Sequence, residues 1–338
     1  MKKRAGMTLL AVLLVFLTAG CALVAPVDAV DPASTETVLV EIPQGSGLGT
    51  VAELLKGRGL IRSELGFKSQ AKAMKAEADL KAGTYELSKA MSAEEIIDKL
   101  VAGAVYVERV KVVIPEGYEL KQIVQRLEEA GLIEPEAFQE AMETGGYDYR
   151  IVSELPEGPG RMEGFLFPAT YQIPKGASEQ EIVTMLLGAF DRQFKSEWYD
   201  RAKELDMTVL EVVTLASIVE REAKLDSERP LIAGVFHNRL KIGKQLESCA
   251  TVQYALGERK TRLYFKDLEV KSPYNTYKHT GLPPGPIASP GTRSIEAVLY
   301  PEASDYLFFR TSAKGDGSHD FSKTFQEHQI SGDGSITP

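Results

Sequence analysis

Two glutamates set inside an apolar helical pattern are the residues of this chain that first suggest chemistry. They stand in LASIVEREA, Leu215 to Ala223. At 3.6 residues per turn Val212, Leu215, Ala216, Val219 and Ala223 share one face, with Val213 and Ile218 flanking it. Glu220 projects between Ala216 and Val213, Glu222 projects between Leu215 and Ile218, and only Arg221 points squarely away. A carboxyl among apolar neighbours has its charged form disfavoured, which raises its pKa toward the range useful for proton transfer. Such a group can protonate the leaving oxygen of a glycosidic bond. Common glycosidases add a second carboxylate, as nucleophile or as base for water. The competing expectation is a structural carboxylate paired with Arg221, Arg229 or Arg239. Periodicity alone does not choose between Glu220 and Glu222.

Other polar residues sit where a ligand could be held. Glu163 lies in RMEGFLFPATY, Arg161 to Tyr171, where a dense Gly/Phe/Pro cluster suggests a lining loop. A solvated turn is the plainer expectation for it. Tyr274, Asn275 and Tyr277 lie in SPYNTYKHTGLPPGPIASPG, a Pro/Gly-rich path whose rigidity suits a groove for a polar ligand. Gly281 to Pro286 would form its wall. Tyrosine also stacks on the apolar face of a sugar ring. Asn238 and Arg239 follow in a helical stretch, RPLIAGVFHNRLKIG. His237, His279, His319 and His328 lack metal-ligand spacing, so no metal is expected. No phosphate loop or dinucleotide fingerprint occurs, so no cofactor is expected. A net charge of −9 and the lack of a basic stripe argue against nucleic acid as a partner.

The elements that must position these residues fall into a duplicated front and a helix-rich back. The N-terminus, MKKRAGMTLLAVLLVFLTAGCALVAPV, carries three basic residues before an uncharged run long enough to cross a bilayer. The positive-inside tendency then places the body outside the cytoplasm. An uncleaved single-pass anchor over 1–28 is the expectation; a cleaved signal and lipidation at Cys21 stay open. A linker, 29–37, follows. VLVEIPQGSGLGTVAELLKGRGLI (Val38 to Ile61) is then echoed by VKVVIPEGYELKQIVQRLEEAGLI (Val110 to Ile133). GTYELSKAMSAEEIIDKL (Gly83 to Leu100) is echoed by ATYQIPKGASEQEIVTML (Ala169 to Leu186). Each unit reads as strand, Pro/Gly turn and helix, then a strand around a Tyr, then a Ser-capped helix with Glu three residues on. The boundaries expected are 38–108 and 109–190 for the two units and 191–338 for the back half. The fold class is α/β in the broad sense, mixed α+β. With 43% apolar residues the core is sizeable, and two cysteines, Cys21 and Cys249, make a disulfide framework implausible.

Taken in order, IVEREA, ERPLIAGVFHNRL, TVQYALG, SPYNTYKHTGLPPGPIASPG, YLFF and FSKT closely resemble the endolytic murein transglycosylases, the YceG-like family. EGFLFPATY and IPEG fit as well, so the resemblance spans nearly the whole chain. It implies a bacterial inner-membrane protein, single-pass, with a LysM-like module (38–108) ahead of an extracytoplasmic YceG-like catalytic domain. It implies a lyase that cuts peptidoglycan glycan strands internally, between N-acetylmuramic acid and N-acetylglucosamine, leaving 1,6-anhydro ends and terminating nascent strands near the peptidoglycan synthases. It matches the family's essential glutamate to Glu220, leaving Tyr274, Asn275, Tyr277, Asn238, Glu163 and Glu222 as candidates for holding substrate. The chain departs from the family at Cys249-Ala250, where relatives carry Asp-Pro, and at Ala169, where relatives carry Asp; Glu247 could compensate locally. Two other readings stand beside this one. A non-catalytic peptidoglycan-binding scaffold would use the front repeats. A water-using hydrolase would need Glu163 or Glu222 to face Glu220.

Overall fold

The computed structural model describes residues 27–155 and 157–330. The expected anchor over 1–28 lies outside the described residues except for its last two, and Cys21 lies outside them too. Among the described residues, no helix is long and apolar enough to cross a membrane. The chain divides into two compact units, with the boundary between Glu108 and Arg109.

In the first unit β1 (Thr37–Ile42), α1 (Leu48–Gly57), α2 (Glu64–Ala73), β2 (Gly83–Ser88) and α3 (Ala93–Ala102) follow one another. The two strands pair antiparallel, from Thr37 opposite Ser88 to Ile42 opposite Gly83. Strand alternation sends Val40, Ile42, Tyr85 and Leu87 into a core completed by Leu55, Phe67, Ile96 and Leu100. The turn after β1 needs Gly45 at φ 79°, a left-handed position that glycine fills without strain. Ser92 and Glu95 form a reciprocal cap at the start of α3.

The second unit repeats this order before adding to it. β3 (Arg109–Val113), α4 (Leu120–Glu129), α5 (Pro135–Thr144), β4 (Thr170–Pro174) and α6 (Glu179–Gln193) come first. β3 and β4 again pair antiparallel, from Arg109 opposite Pro174 to Val113 opposite Thr170. Ser178 and Glu181 cap α6 as Ser92 and Glu95 cap α3. Then come α7 (Ser196–Glu204), α8 (Val209–Glu222), α9 (Arg229–Lys241), α10 (Cys249–Leu256), α11 (Thr292–Leu299), β5 (Phe308–Thr311), β6 (His319–Ser322) and α12 (Phe325–Ile330). All three sheets among the described residues are two-stranded and antiparallel, so the class is α+β, with no parallel sheet.

The helix holding the two glutamates is the centre of this unit. Thr208 and Glu211 cap α8 reciprocally, fixing where it starts. Val209 and every residue from Val212 to Val219 are buried, so the helix is enclosed all round over its middle, with only Thr214 and Ser217 polar among them. It packs against α9, α10 and α11. Each fully buried Val, Leu or Ile contributes about 1.5–3 kcal/mol relative to exposure. A charge placed at Val213 or Ile218 would meet no solvent and would break this packing. A helix gripped on every side holds its last turn, and Glu220 with it, in one place.

Candidate active site

Glu220 leaves the last turn of α8 with its side chain only 7% exposed. Its surroundings are polar, not the apolar shell that the helical pattern suggests. Arg229, at the start of α9, donates from Nη2 to Oε1 at 3.2 Å. Ser294, in the first turn of α11, donates to Oε2 at 2.8 Å, and the Gly291 N–H ahead of that turn donates to the same oxygen at 3.1 Å. Three donors therefore face the carboxyl, which is the pattern an accepting carboxylate requires. Arg229 is itself fixed: Nη1 meets Ser294 Oγ at 2.5 Å and Nε meets Asp226 at 3.0 Å. Of the three arginines offered as structural partners for Glu220, it is Arg229 that pairs with it.

A turn from the second repeat closes over this carboxyl. Gly117 donates its N–H to the Ser289 carbonyl at 2.8 Å, and Ser289 returns a bond to the Tyr118 carbonyl at 2.7 Å. A methyl group on Gly117 would stand 3.7 Å from Glu220 Cγ. The neighbouring Glu116 carboxyl is pushed up in pKa, first by burial and then by the negative charge of Glu220, against the lowering effect of Arg229 and Arg293.

The other sequence candidates go elsewhere. Arg221 does not point away into solvent; its side chain is 14% exposed and its Nη1 lies 3.6 Å from Glu119 Oε1. Glu222 accepts from Ser248 Oγ at 2.5 Å and from the Ala250 N–H at 3.5 Å, so it anchors the start of α10. Glu163 is buried and its two oxygens take the Leu120 N–H at 2.9 and 3.2 Å, capping α4, while the Tyr254 hydroxyl donates to Oε2 at 3.2 Å. Burial pushes its pKa up to about 8 in spite of these bonds. It is not a solvated turn residue, and Phe165 and Leu166 beside it are core rather than a lining loop. Neither Glu163 nor Glu222 shares a hydrogen-bond partner with Glu220, and each is held by other groups.

Asn275 is fully buried and donates to the Leu268 and Val270 carbonyls at 2.8 and 2.9 Å, while its own oxygen accepts from Tyr277 N–H. It holds the loop together and has no face for a sugar. Asn238 donates to the Ser304 and Tyr306 carbonyls at 2.8 and 3.0 Å and so ties down the segment before β5. Tyr274 packs on Tyr254, with ring centroids 4.9 Å apart, which links it to Glu163. The Tyr277 hydroxyl meets Cys249 Sγ at 3.2 Å. Glu247, offered as a local substitute for the missing aspartate, pairs instead with Arg239 at 2.9 Å and Lys244 at 3.5 Å. Ala169 packs on the hydrophobic core. Gly281 to Pro284 do line a groove, of about 870 Å³, together with Leu210, Thr214 and Asn238, but Glu220 is not among its walls.

Sequence reasoning missed Glu116 and Ser294 and treated Arg229 only as a structural partner. For Glu116 a signal existed: the duplicated turn reads Ile42-Pro43-Gln44-Gly45 in the first copy and Ile114-Pro115-Glu116-Gly117 in the second, so the carboxylate is particular to one copy.

Fold and site together define an α+β protein built around a buried, donor-held carboxyl at the end of a core helix. The YceG-like family model matches residues 40–332, and the chain belongs to that family. It is 36% identical over 315 residues to an endolytic murein transglycosylase of Bacillus subtilis, a match covering 89% of this chain and 85% of that one. It is 34% identical to an endolytic murein transglycosylase of Streptococcus pneumoniae, over 83% of this chain and 55% of that one, so it spans about half the length of the pneumococcal relative. A crystal structure of a yceG-like protein from Listeria monocytogenes is similar at a TM-score of 0.59 and 37% identity, covering 88% of this chain and 99% of that one.

Proposed function

We propose that this protein is an endolytic lytic transglycosylase, a lyase that cuts the MurNAc–GlcNAc bond within peptidoglycan strands and leaves 1,6-anhydro-MurNAc ends. The observation that carries the reading is Glu220, a buried carboxyl held by Arg229, Ser294 and Gly291 in a chain similar to relatives named endolytic murein transglycosylases. The reaction comprises two proton transfers, one to the leaving oxygen and one from the muramyl C6 hydroxyl as that oxygen closes on C1. No water enters the product. Rigid placement by α8 supplies the alignment such a ring closure needs. Tyr274 and Tyr277 are the candidates for sugar contact, while Asn238, Asn275, Glu163 and Glu222 support the walls.

Residues 38–108 are read as a LysM-like module that holds glycan, a reading supported by the order strand, two helices, antiparallel strand. Residues 109–190 are read as a second repeat joined to a catalytic part at 191–338. An anchor over 1–28 would hold the body outside the cytoplasm at the inner membrane, near peptidoglycan synthases that extend the strands it ends.

The test is incubation of the protein with purified peptidoglycan, beside Glu220→Gln, with mass spectrometry of the new chain ends. Anhydro ends from the parent and none from the variant are expected. Ordinary reducing ends would make the protein a hydrolase. Sacculus binding without cleavage would make it a scaffold.

A further inference from the structure

The Glu220 cradle leaves one step short of a donor. Three hydrogen-bond donors address Glu220, two on Oε2 and one on Oε1. Oε2 is filled by two donors, and Oε1 keeps one open hydrogen-bond position, where the C6 hydroxyl proton can be received. Protonation of the leaving oxygen calls for an acid nearby, and Glu116 is the carboxyl that stands there.

Glu116 and Glu220 meet at Gly291. The Gly291 N–H bonds Glu220 Oε2 at 3.1 Å, and a methyl group on its α-carbon would overlap the Glu116 carboxyl. From the other side Gly117 sits against Glu220 Cγ. The turn that carries both residues is clamped to Ser289 by two backbone bonds, and Gly117 adopts φ 75° to make the clamp. Glu116 is exposed, whereas Glu220 is enclosed, and among the described residues the Glu116 carboxyl forms no hydrogen bond or ion pair. It is the unengaged carboxyl of the site: Glu119, Glu163 and Glu222 are all taken up by other groups. Resting on the transglycosylase reading, we infer that Glu116 is a second catalytic carboxyl, which protonates the leaving glycosidic oxygen while Glu220 receives the C6 hydroxyl proton.

The step balances. The Glu116 proton goes to O4 of the departing N-acetylglucosamine as the C1–O4 bond breaks and its electron pair stays on O4. The muramyl O6 forms the new bond to C1, and its proton goes to Glu220. Glu220 then releases that proton to solvent and Glu116 takes one up, which restores both groups. The charged groups facing Glu116 are Glu220 from α8, Arg229 from α9 and Arg293 from α11, with Asp226 paired to both arginines. Partial desolvation of this otherwise exposed carboxyl and the Glu220 charge raise its pKa against the lowering pull of Arg229 and Arg293, which keeps the acid protonated further up the pH scale.

The full chain in detergent, given purified peptidoglycan, tests this. Glu116→Gln should slow formation of anhydro ends about 100-fold or more, the usual scale of general acid catalysis, with melting and sacculus binding unchanged. The parent rate should fall as pH rises through the Glu116 pKa, and that limb should vanish in the variant. An aryl glycoside of the GlcNAc–MurNAc disaccharide, whose phenolate leaves without protonation, should bring Glu116→Gln back to within about tenfold of the parent but leave Glu220→Gln inactive. Gly291→Ala, at a φ of −76° that alanine tolerates, should push the flexible Glu116 carboxyl aside and give the same pattern; it stands in if Glu116→Gln does not fold. Parental cutting of peptidoglycan by Glu116→Gln, or equal loss on both substrates, overturns the inference while leaving the role of Glu220 intact. A parent that yields no anhydro ends overturns the transglycosylase reading and this inference with it.

Discussion

Replacing Arg229 by Met, close in volume but uncharged, measures how firmly the Glu220 carboxyl is held. The arginine side chain is 9% exposed and contacts Glu220 at 3.2 Å, Ser294 at 2.5 Å and Asp226 at 3.0 Å. Asp226 is 53% exposed, so its share is at most about 1 kcal/mol. Glu220 is 7% exposed and would be left as a buried carboxylate without its cation. Breaking a buried pair from one side costs about 3–5 kcal/mol. Ser294 and Gly291 still donate to Glu220, which favours the lower end, about 3 kcal/mol. In a Glu220→Gln background no charge is orphaned, and the same change should cost only its hydrogen bonds, about 1 kcal/mol. The expected coupling is therefore about 2 kcal/mol. Urea unfolding of the four proteins, followed by fluorescence of the single tryptophan, Trp198, reports on the second unit alone. On heating, the single change should lower the midpoint of that unit by about 6–12 °C. Costs that agree in the two backgrounds to within about 0.5 kcal/mol would refute the view that Arg229 acts by holding the Glu220 charge.

Glu163 should make stability depend on pH. Its folded pKa, about 8, exceeds the unfolded value near 4.5, so the folded state binds more protons between the two. Stability gained from this group is full below about pH 4.5 and falls by up to about 1.4 kcal/mol per pH unit as pH rises to about 8; urea titrations across that window should show the slope in the parent and not in Glu163→Gln. Cys249 should react slowly when folded: it is half-buried, desolvation raises its thiol pKa, and the Tyr277 hydroxyl sits on its sulfur. A thiol reagent at pH 7.5 should label it more slowly in the native protein than in urea, and equal rates would contradict the shielding by Tyr277.

Much of the scaffold was legible because local rules wrote it. The reciprocal caps at Ser92 and Ser178, the glycines of the Pro-Gly turns and the repeated strand–helix order each depend on residues within four positions of one another. The 3.6-residue period likewise placed Val212, Leu215, Ala216 and Val219 in the core. The same period misled at Arg221, since it gives the direction of a side chain but not what waits there; Glu119 arrives from the start of α4 and buries it. Tyr, Asn and Pro in a rigid loop suggested a ligand wall, yet Asn275 spends its amide on backbone carbonyls of its own loop, a choice fixed by loop conformation rather than composition.

What the sequence by itself determined is the repeated strand–turn–helix order and the apolar pattern of the helix that carries Glu220 and Glu222, with the family resemblance pointing to Glu220 between them. What the tertiary structure alone decided is the company that carboxyl keeps. Gly291 and Ser294 lie 71 and 74 residues away along the chain, and the Glu116 turn comes from a separate strand–helix unit. Hydrogen bonds and charge act over a few ångströms, so such partners are chosen by how α8, α9 and α11 pack, and packing is a property of the whole fold that no short window of sequence contains.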